Sequence, residues 1–146
     1  MSSRLSHIAR VFAFAAILLL GTACGHDNQC HVDIGAANFS RSIYQDAECI
    51  PLTHPGGHVC FSGGHRGIIV ICVSQNNFVA FERTCPCDNS STVEVSEEWG
   101  SFILECPRCH TLFDVNNYGA PMEGGATLCP LYQYGTTFDG TTLYVY

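Results

Sequence analysis

The sequence predicts an all-β fold, a small antiparallel sandwich or barrel with a loop-rich end, and three observations predict it. Short apolar runs recur through the 146 residues, at 58–62, 67–73, 78–81, 92–95, 101–104, 131–134 and 143–146. Turn-forming residues separate them: Gly63-Gly64, Gln75-Asn76-Asn77, Asp88-Asn89-Ser90 and Asp139-Gly140. No apolar period long enough for an amphipathic helix appears. Many short strands joined by tight turns read as one all-β unit.

The first 23 residues read as a signal peptide. Arg4 and Arg10 precede an apolar run at 11–20, too short to cross a bilayer comfortably. Gly21-Thr22-Ala23-Cys24 then supplies small residues before a cysteine, which suits a lipoprotein signal with Cys24 lipidated. Ordinary cleavage after Ala23, leaving Cys24 free, is the alternative. The expected address is the cell envelope, with the chain anchored in a membrane through its lipid and facing the periplasm or the exterior.

Residues 24–57 read as a tether followed by an N-terminal strand region, in which Val32 and Ile34 could open an edge strand and 53–57 a turn. Residues 58–146 form the predicted domain. Ile69, Val70 and Ile71 are contiguous and suit a strand buried on both faces. Asp139-Gly140, between Thr136-Thr137-Phe138 and Thr141-Thr142-Leu143, predicts a two-residue hairpin. No internal repeat or linker divides the chain, so one domain reaches from about Cys30 to Tyr146.

Without the leader the chain keeps four arginines, no lysine and 13 carboxylates, a balance of −9. Nucleic acid is excluded as a partner, because phosphate contacts need a positive face. The missing lysines also exclude electrostatic adhesion to anionic lipid.

The chemistry sits in cysteines. Cys85 and Cys87 lie in Thr84-Cys-Pro-Cys, and Cys106 and Cys109 in Cys-Pro-Arg-Cys-His110. Two close pairs on two loops offer four soft thiolates to one centre. Four readings compete: a [2Fe–2S] cluster, a closed tetrahedral zinc site, two disulfides, and a thiol–disulfide exchange pair at Cys106 and Cys109. The last lacks the helix that such exchange pairs open. No twin-arginine pair precedes the apolar run, so a chain exported unfolded would arrive without a cluster, whereas zinc could be acquired afterwards. Setting aside Cys24 leaves Cys30, Cys49, Cys60, Cys72 and Cys129, whose pairing spacing does not reveal. Cys60 and Cys72, inside apolar runs, read as buried free thiols. His54, His58 and His65 read as solvent-facing, and Trp99 and the tyrosines as core or sheet-face aromatics. No catalytic constellation stands out, which favours a carrier or binding role over an enzyme.

Three stretches carry a resemblance: Val79-Ala-Phe-Glu-Arg-Thr-Cys-Pro-Cys87, Cys106-Pro-Arg-Cys-His-Thr-Leu-Phe-Asp114 and Gly124-Gly-Ala-Thr-Leu-Cys-Pro-Leu131. Together they resemble the Rieske domain, over roughly residues 58–146. The resemblance implies a small antiparallel β fold with a cluster-bearing loop subdomain, and one-electron transfer through a [2Fe–2S] cluster to a redox partner protein. Cys87 and Cys109 stand where that family has its two histidine ligands, so the implied ligand set is Cys85, Cys87, Cys106 and Cys109. His110 takes the following glycine's place and would be a hydrogen-bonding neighbour of the cluster or a replacement ligand. Thr111 keeps the hydroxyl of the cluster-facing serine, while Phe113 lacks the phenol of high-potential members. Ser90 and Arg108 occupy the positions of an inter-loop disulfide found in respiratory members, and Gly125 that of a loop proline. The alternative function is a non-redox binding or structural domain built on a Cys₄ zinc site.

Overall fold

A computed structural model describes residue 30 and residues 32–146. The expected signal peptide and the lipidated Cys24 lie outside the described residues. Eleven strands run in order: β1 (Phe39–Ser42), β2 (His58–Phe61), β3 (Ile68–Ser74), β4 (Asn77–Glu82), β5 (Glu94–Ser96), β6 (Gly100–Glu105), β7 (Leu112–Asp114), β8 (Ala120–Pro121), β9 (Gln133–Tyr134), β10 (Thr136–Phe138) and β11 (Thr142–Val145). Two 3₁₀ segments, Ala47–Thr53 and Val115–Asn117, complete the described fold.

All strand pairings are antiparallel and form three open sheets, ordered β1-β11-β10, β2-β3-β4-β9 and β5-β6-β7-β8. The all-β class is as the sequence predicts. Of the two forms expected, the described residues build stacked sheets and no closed barrel.

The middle sheet explains the continuous apolar run in β3. Alternation sends Ile68, Val70 and Cys72 to one core, with Leu52, Phe61, Phe78, Leu143 and Val145. It sends Ile69 and Ile71 to a second core, with Phe81, Val93, Leu104, Phe113 and Leu131. A strand covered on both faces carries no polar alternation. The second core also holds Cys85 and Cys106, so the cysteine loops are founded on packed hydrocarbon.

Residues 39–53, the least legible part of the sequence, join this fold. β1 pairs with β11 (Phe39 opposite Val145, Ser42 opposite Thr142), and Cys49 and Leu52 of the first 3₁₀ segment are buried. Val32 and Ile34 precede β1 and start no strand. The last hairpin forms one residue later than predicted. Phe138 pairs with Leu143, and the Asp139 N–H reaches the Thr142 carbonyl, which leaves Gly140-Thr141 as the loop. The Asp139 carboxylate accepts from the N–H groups of Thr141 and Thr142, and Gly140 alone supplies positive φ, at +99°.

Two expectations for single residues are corrected. Cys60 is exposed, because β2 alternates His58 and Cys60 outward with Val59 and Phe61 inward. Trp99 is also exposed, at the tight turn joining β5 to β6, where its side chain has no core to enter.

Candidate metal centre

Two loops at the end of the third sheet present the cysteines, and both are built in the same way. In each, Cys-Pro opens a turn whose φ the proline presets. Four residues after the first cysteine, a backbone N–H returns to that cysteine's carbonyl: Asn89 to Cys85 at 2.9 Å, and His110 to Cys106 at 2.8 Å. Asn89 and His110 both take left-handed backbone, φ +56° and +55°. The chain then re-enters the fold through the Cys85 N–H to Ser91 carbonyl and Cys106 N–H to Thr111 carbonyl bonds, at 2.9 and 3.1 Å. The tight Cys-Pro turns aim the sulfurs of both loops at one another.

The sulfur atoms of Cys85, Cys106 and Cys109 lie within 4.8 Å of one another, and Cys85 and Cys109 are 3.7 Å apart. Four thiolates about 2.3 Å from a tetrahedral ion are separated by about 3.8 Å. Cys85 and Cys109 therefore already stand at the distance of two ligands on one metal. Cys87 lies outside that group of three; it is exposed, with its sulfur 3.9 Å from the Ala126 carbonyl. Cys85 and Cys106 are fully buried and Cys109 is half-buried. The donor set is all sulfur, which suits a Cys₄ zinc site and an all-cysteine iron–sulfur cluster alike.

The thiols differ in acidity. Burial pushes Cys85 well above the ordinary range, and the neighbouring thiols of Cys106 and Cys109 add to the rise. Burial, followed by the nearby Cys109, raises Cys87. Burial pushes Cys109 up too, but the side-chain and backbone hydrogen bonds of Thr111, aided by Cys106 and Cys85, outweigh it and bring Cys109 to about 7. The Thr111 hydroxyl lies 3.2 Å from Cys109 Sγ and accepts from the Ala126 N–H at 2.9 Å, which leaves its own proton for a thiolate. His110 turns elsewhere: its Nδ1 is 3.2 Å from Glu105 Oε1 on an exposed ring.

Ser90 and Arg108, which cannot form a disulfide, meet through a polar link. Arg108 Nη1 donates to Ser90 Oγ at 3.0 Å and lies 3.3 Å from the Asp88 carboxylate. Asp88 is held well below the usual carboxylate range, first by the Ser91 hydroxyl and then by the N–H groups of Ser90 and Ser91. A third loop, from Met122 to Pro130, closes over the site. It approaches so tightly that a Cβ at Gly125 would sit 2.7 Å from Thr111 Cγ2.

Two features escaped the sequence. A disulfide joins Cys30 to Cys129, which spacing alone could not pair, and Cys49, Cys60 and Cys72 are free. Glu82, fully buried at the end of β4, accepts from Thr84 immediately before Cys85. Its one signal was a charge inside an apolar strand.

No family model and no curated protein matches this chain in sequence. Among solved structures it is similar to the ferredoxin of carbazole 1,9a-dioxygenase from Nocardioides aromaticivorans IC177, at 21% identity and a TM-score of 0.49, over 76% of this chain and 95% of that one.

Proposed function

We propose that this chain is an electron-transfer protein of the iron–sulfur class, in which Cys85, Cys87, Cys106 and Cys109 hold a [2Fe–2S] cluster. The observation that carries the reading is the all-sulfur group of Cys85, Cys106 and Cys109, with Cys87 on the same loop as Cys85. The cluster, when bound, supplies a one-electron couple. The protein's own residues do the rest. Cys85 and Cys106 are the dry, buried pair rooted in the second core. Cys87 and Cys109 are the pair that meets solvent, and a redox partner would approach on their side. Thr111 steadies the charge on Cys109 by its hydroxyl. The proposal extends to a lipid at Cys24 that keeps the protein at a membrane of the cell envelope.

A second reading has one observation in its favour. Three sulfurs already gathered within 4.8 Å suit a single tetrahedral ion, with Cys87 swinging in as the fourth ligand of a structural zinc site. Metal analysis and a visible spectrum of the protein purified from its native envelope separate the two. Iron and sulfide with a broad visible band support the cluster. Stoichiometric zinc in a colourless protein overturns it.

A further inference from the structure

We propose that the Cys30–Cys129 disulfide is a redox latch that governs access to Cys109 in the site, an inference that rests on the four cysteines forming one centre. The residues form a closed circuit around that centre. Cys129 belongs to the covering loop, whose Ala126 N–H bonds Thr111 beside Cys109, and whose Ala126 carbonyl lies against Cys87. The bridge carries this loop across to Cys30. From there residues 32–36 run as a strap along the molecule. The Asp33 N–H donates to Asn89 Oδ1 at 2.9 Å, and Asn89 in turn closes the first cysteine loop onto the Cys85 carbonyl. Further along, the Gly35 carbonyl lies 2.8 Å from the Tyr134 hydroxyl, and the Ala36 carbonyl accepts from the Gly64 N–H at 3.3 Å. The strap thus ties the covering loop to the first cysteine loop. Among the described residues its one covalent hold on the covering loop is a bond with an exposed end, Cys30.

An exposed disulfide is open to exchange. A dithiol reductant attacks one sulfur, forms a mixed disulfide, and leaves as its own disulfide; Cys30 and Cys129 take up the two electrons and two protons as thiols. Residues 127–130 then lose their tie to the strap, and half-buried Cys109, beside Thr111 and the Ala126 N–H, loses its cover. Oxidation restores it. The latch leaves the site open for loading under reducing conditions and shuts it under oxidising ones.

The test compares the full chain carrying the bridge with its Cys30→Ser/Cys129→Ser form, both metal-free, by pulsed iodoacetamide labelling read per cysteine by peptide mass spectrometry. Labelling of half-buried Cys109 should be at least five-fold faster without the bridge, with Cys60, exposed on β2, unchanged. Equal rates at Cys109 in the two forms overturn the latch. So does simultaneous labelling of buried Cys49 and Cys72, which would make the bridge a support of the whole fold. Asp33→Ala, which keeps the bridge and removes the carboxylate that accepts from Asn89 Nδ2 at 3.3 Å, should give a smaller increase at Cys109; no change there counts against the circuit. A parallel measurement follows loss of zinc from zinc-loaded protein to a chromogenic chelator, expected at least five-fold faster without the bridge. Failure of either form to take up zinc or iron would count against the metal centre, while the labelling result would still decide the latch.

Discussion

Glu82→Gln isolates what a buried carboxylate does for the first cysteine loop. Glu82 has no exposed surface. Its Oε2 accepts from the His65 N–H at 2.7 Å and the Tyr134 hydroxyl at 2.8 Å. Its Oε1 accepts from the N–H groups of Arg66 and Thr84, both at 3.0 Å, and from the Thr84 hydroxyl at 2.8 Å. Three fixed N–H groups and two hydroxyls converge on the two oxygens, a set that an ionised carboxylate satisfies and an amide does not. Burial pushes the Glu82 carboxyl up, but the N–H groups of Arg66 and His65 and the hydroxyls of Thr84 and Tyr134 outweigh it, so its pKa lies below the ordinary value.

The amide must turn its NH₂ to one side. Towards Arg66 and Thr84 it faces two N–H groups; towards His65 it faces one, and the Tyr134 hydroxyl can rotate to accept. The second orientation still loses one charge-assisted bond and strands the His65 N–H, together about 3 kcal/mol. For a domain of this size that lowers Tm by roughly 10 °C. The dependence on pH has a definite sign. A folded-state pKa below the unfolded one contributes stability that is complete above the ordinary 4.5 and is lost as pH falls through the lower folded value. The gap in Tm between wild type and Glu82→Gln, followed by circular dichroism, should be widest near neutrality and shrink below that point. A gap under about 2 °C at pH 7, or one that stays constant into the acid range, would refute the argument.

The remaining predictions concern the site and its foundations. Cys85→Ser or Cys106→Ser should abolish stoichiometric metal uptake, while Cys60→Ser should leave the metal content measured by mass spectrometry unchanged. In metal-free protein, alkylation of Cys109 should rise with pH to half its maximum near pH 7, as the thiolate forms; Cys87 should reach that point only above 9. Gly119→Ala should cost about 2–4 kcal/mol in chemical denaturation, because φ is +70° and the new Cβ would lie 2.9 Å from Phe81 Cε1 and 3.0 Å from Leu131 Cβ. If iron and sulfide are bound by four thiolates, the couple should lie near the roughly −400 mV of all-cysteine ferredoxins; a potential above zero would point to a histidine ligand.

What could be read in the sequence depended on how local the underlying physics is. The run at Ile69–Ile71 announced a strand covered on both faces, since alternation alone decides where such side chains go. The two Cys-Pro turns announced a sulfur site, because a proline and a left-handed residue four positions after the first cysteine fix each loop without outside help. β1 was invisible for the opposite reason. Phe39-Ser40-Arg41-Ser42 is a strand because β11, about a hundred residues later, offers it a free edge, and nothing local marks it as one. Tyr134 and Glu82, 52 residues apart, meet for a reason of the same kind.

The cysteines divide along that line. Cys85, Cys106 and Cys109, whose sulfurs the fold gathers, lie on two Cys-Pro turns visible in the sequence, while Cys87 on the first of those turns stands outside the group. Cys30 and Cys129 are 99 residues apart, and only the completed fold brings them together. A connection of that length has a particular use here. Two self-sufficient loops can each aim their thiols, but neither fixes its distance from the other. Arg108 supplies one link between them, through Ser90 and Asp88, and it is a surface contact worth at most about 1 kcal/mol. The covering loop bears on both: it bonds Thr111 in the second cysteine loop and, through the bridge and Asp33, reaches Asn89 in the first. Holding a bimetallic or tetrahedral sulfur site to a few tenths of an ångström calls for such long-range ties, because the local turns leave the relative placement of the loops free. The thiols are therefore legible in the sequence, and the frame that sets their spacing is legible only in the fold.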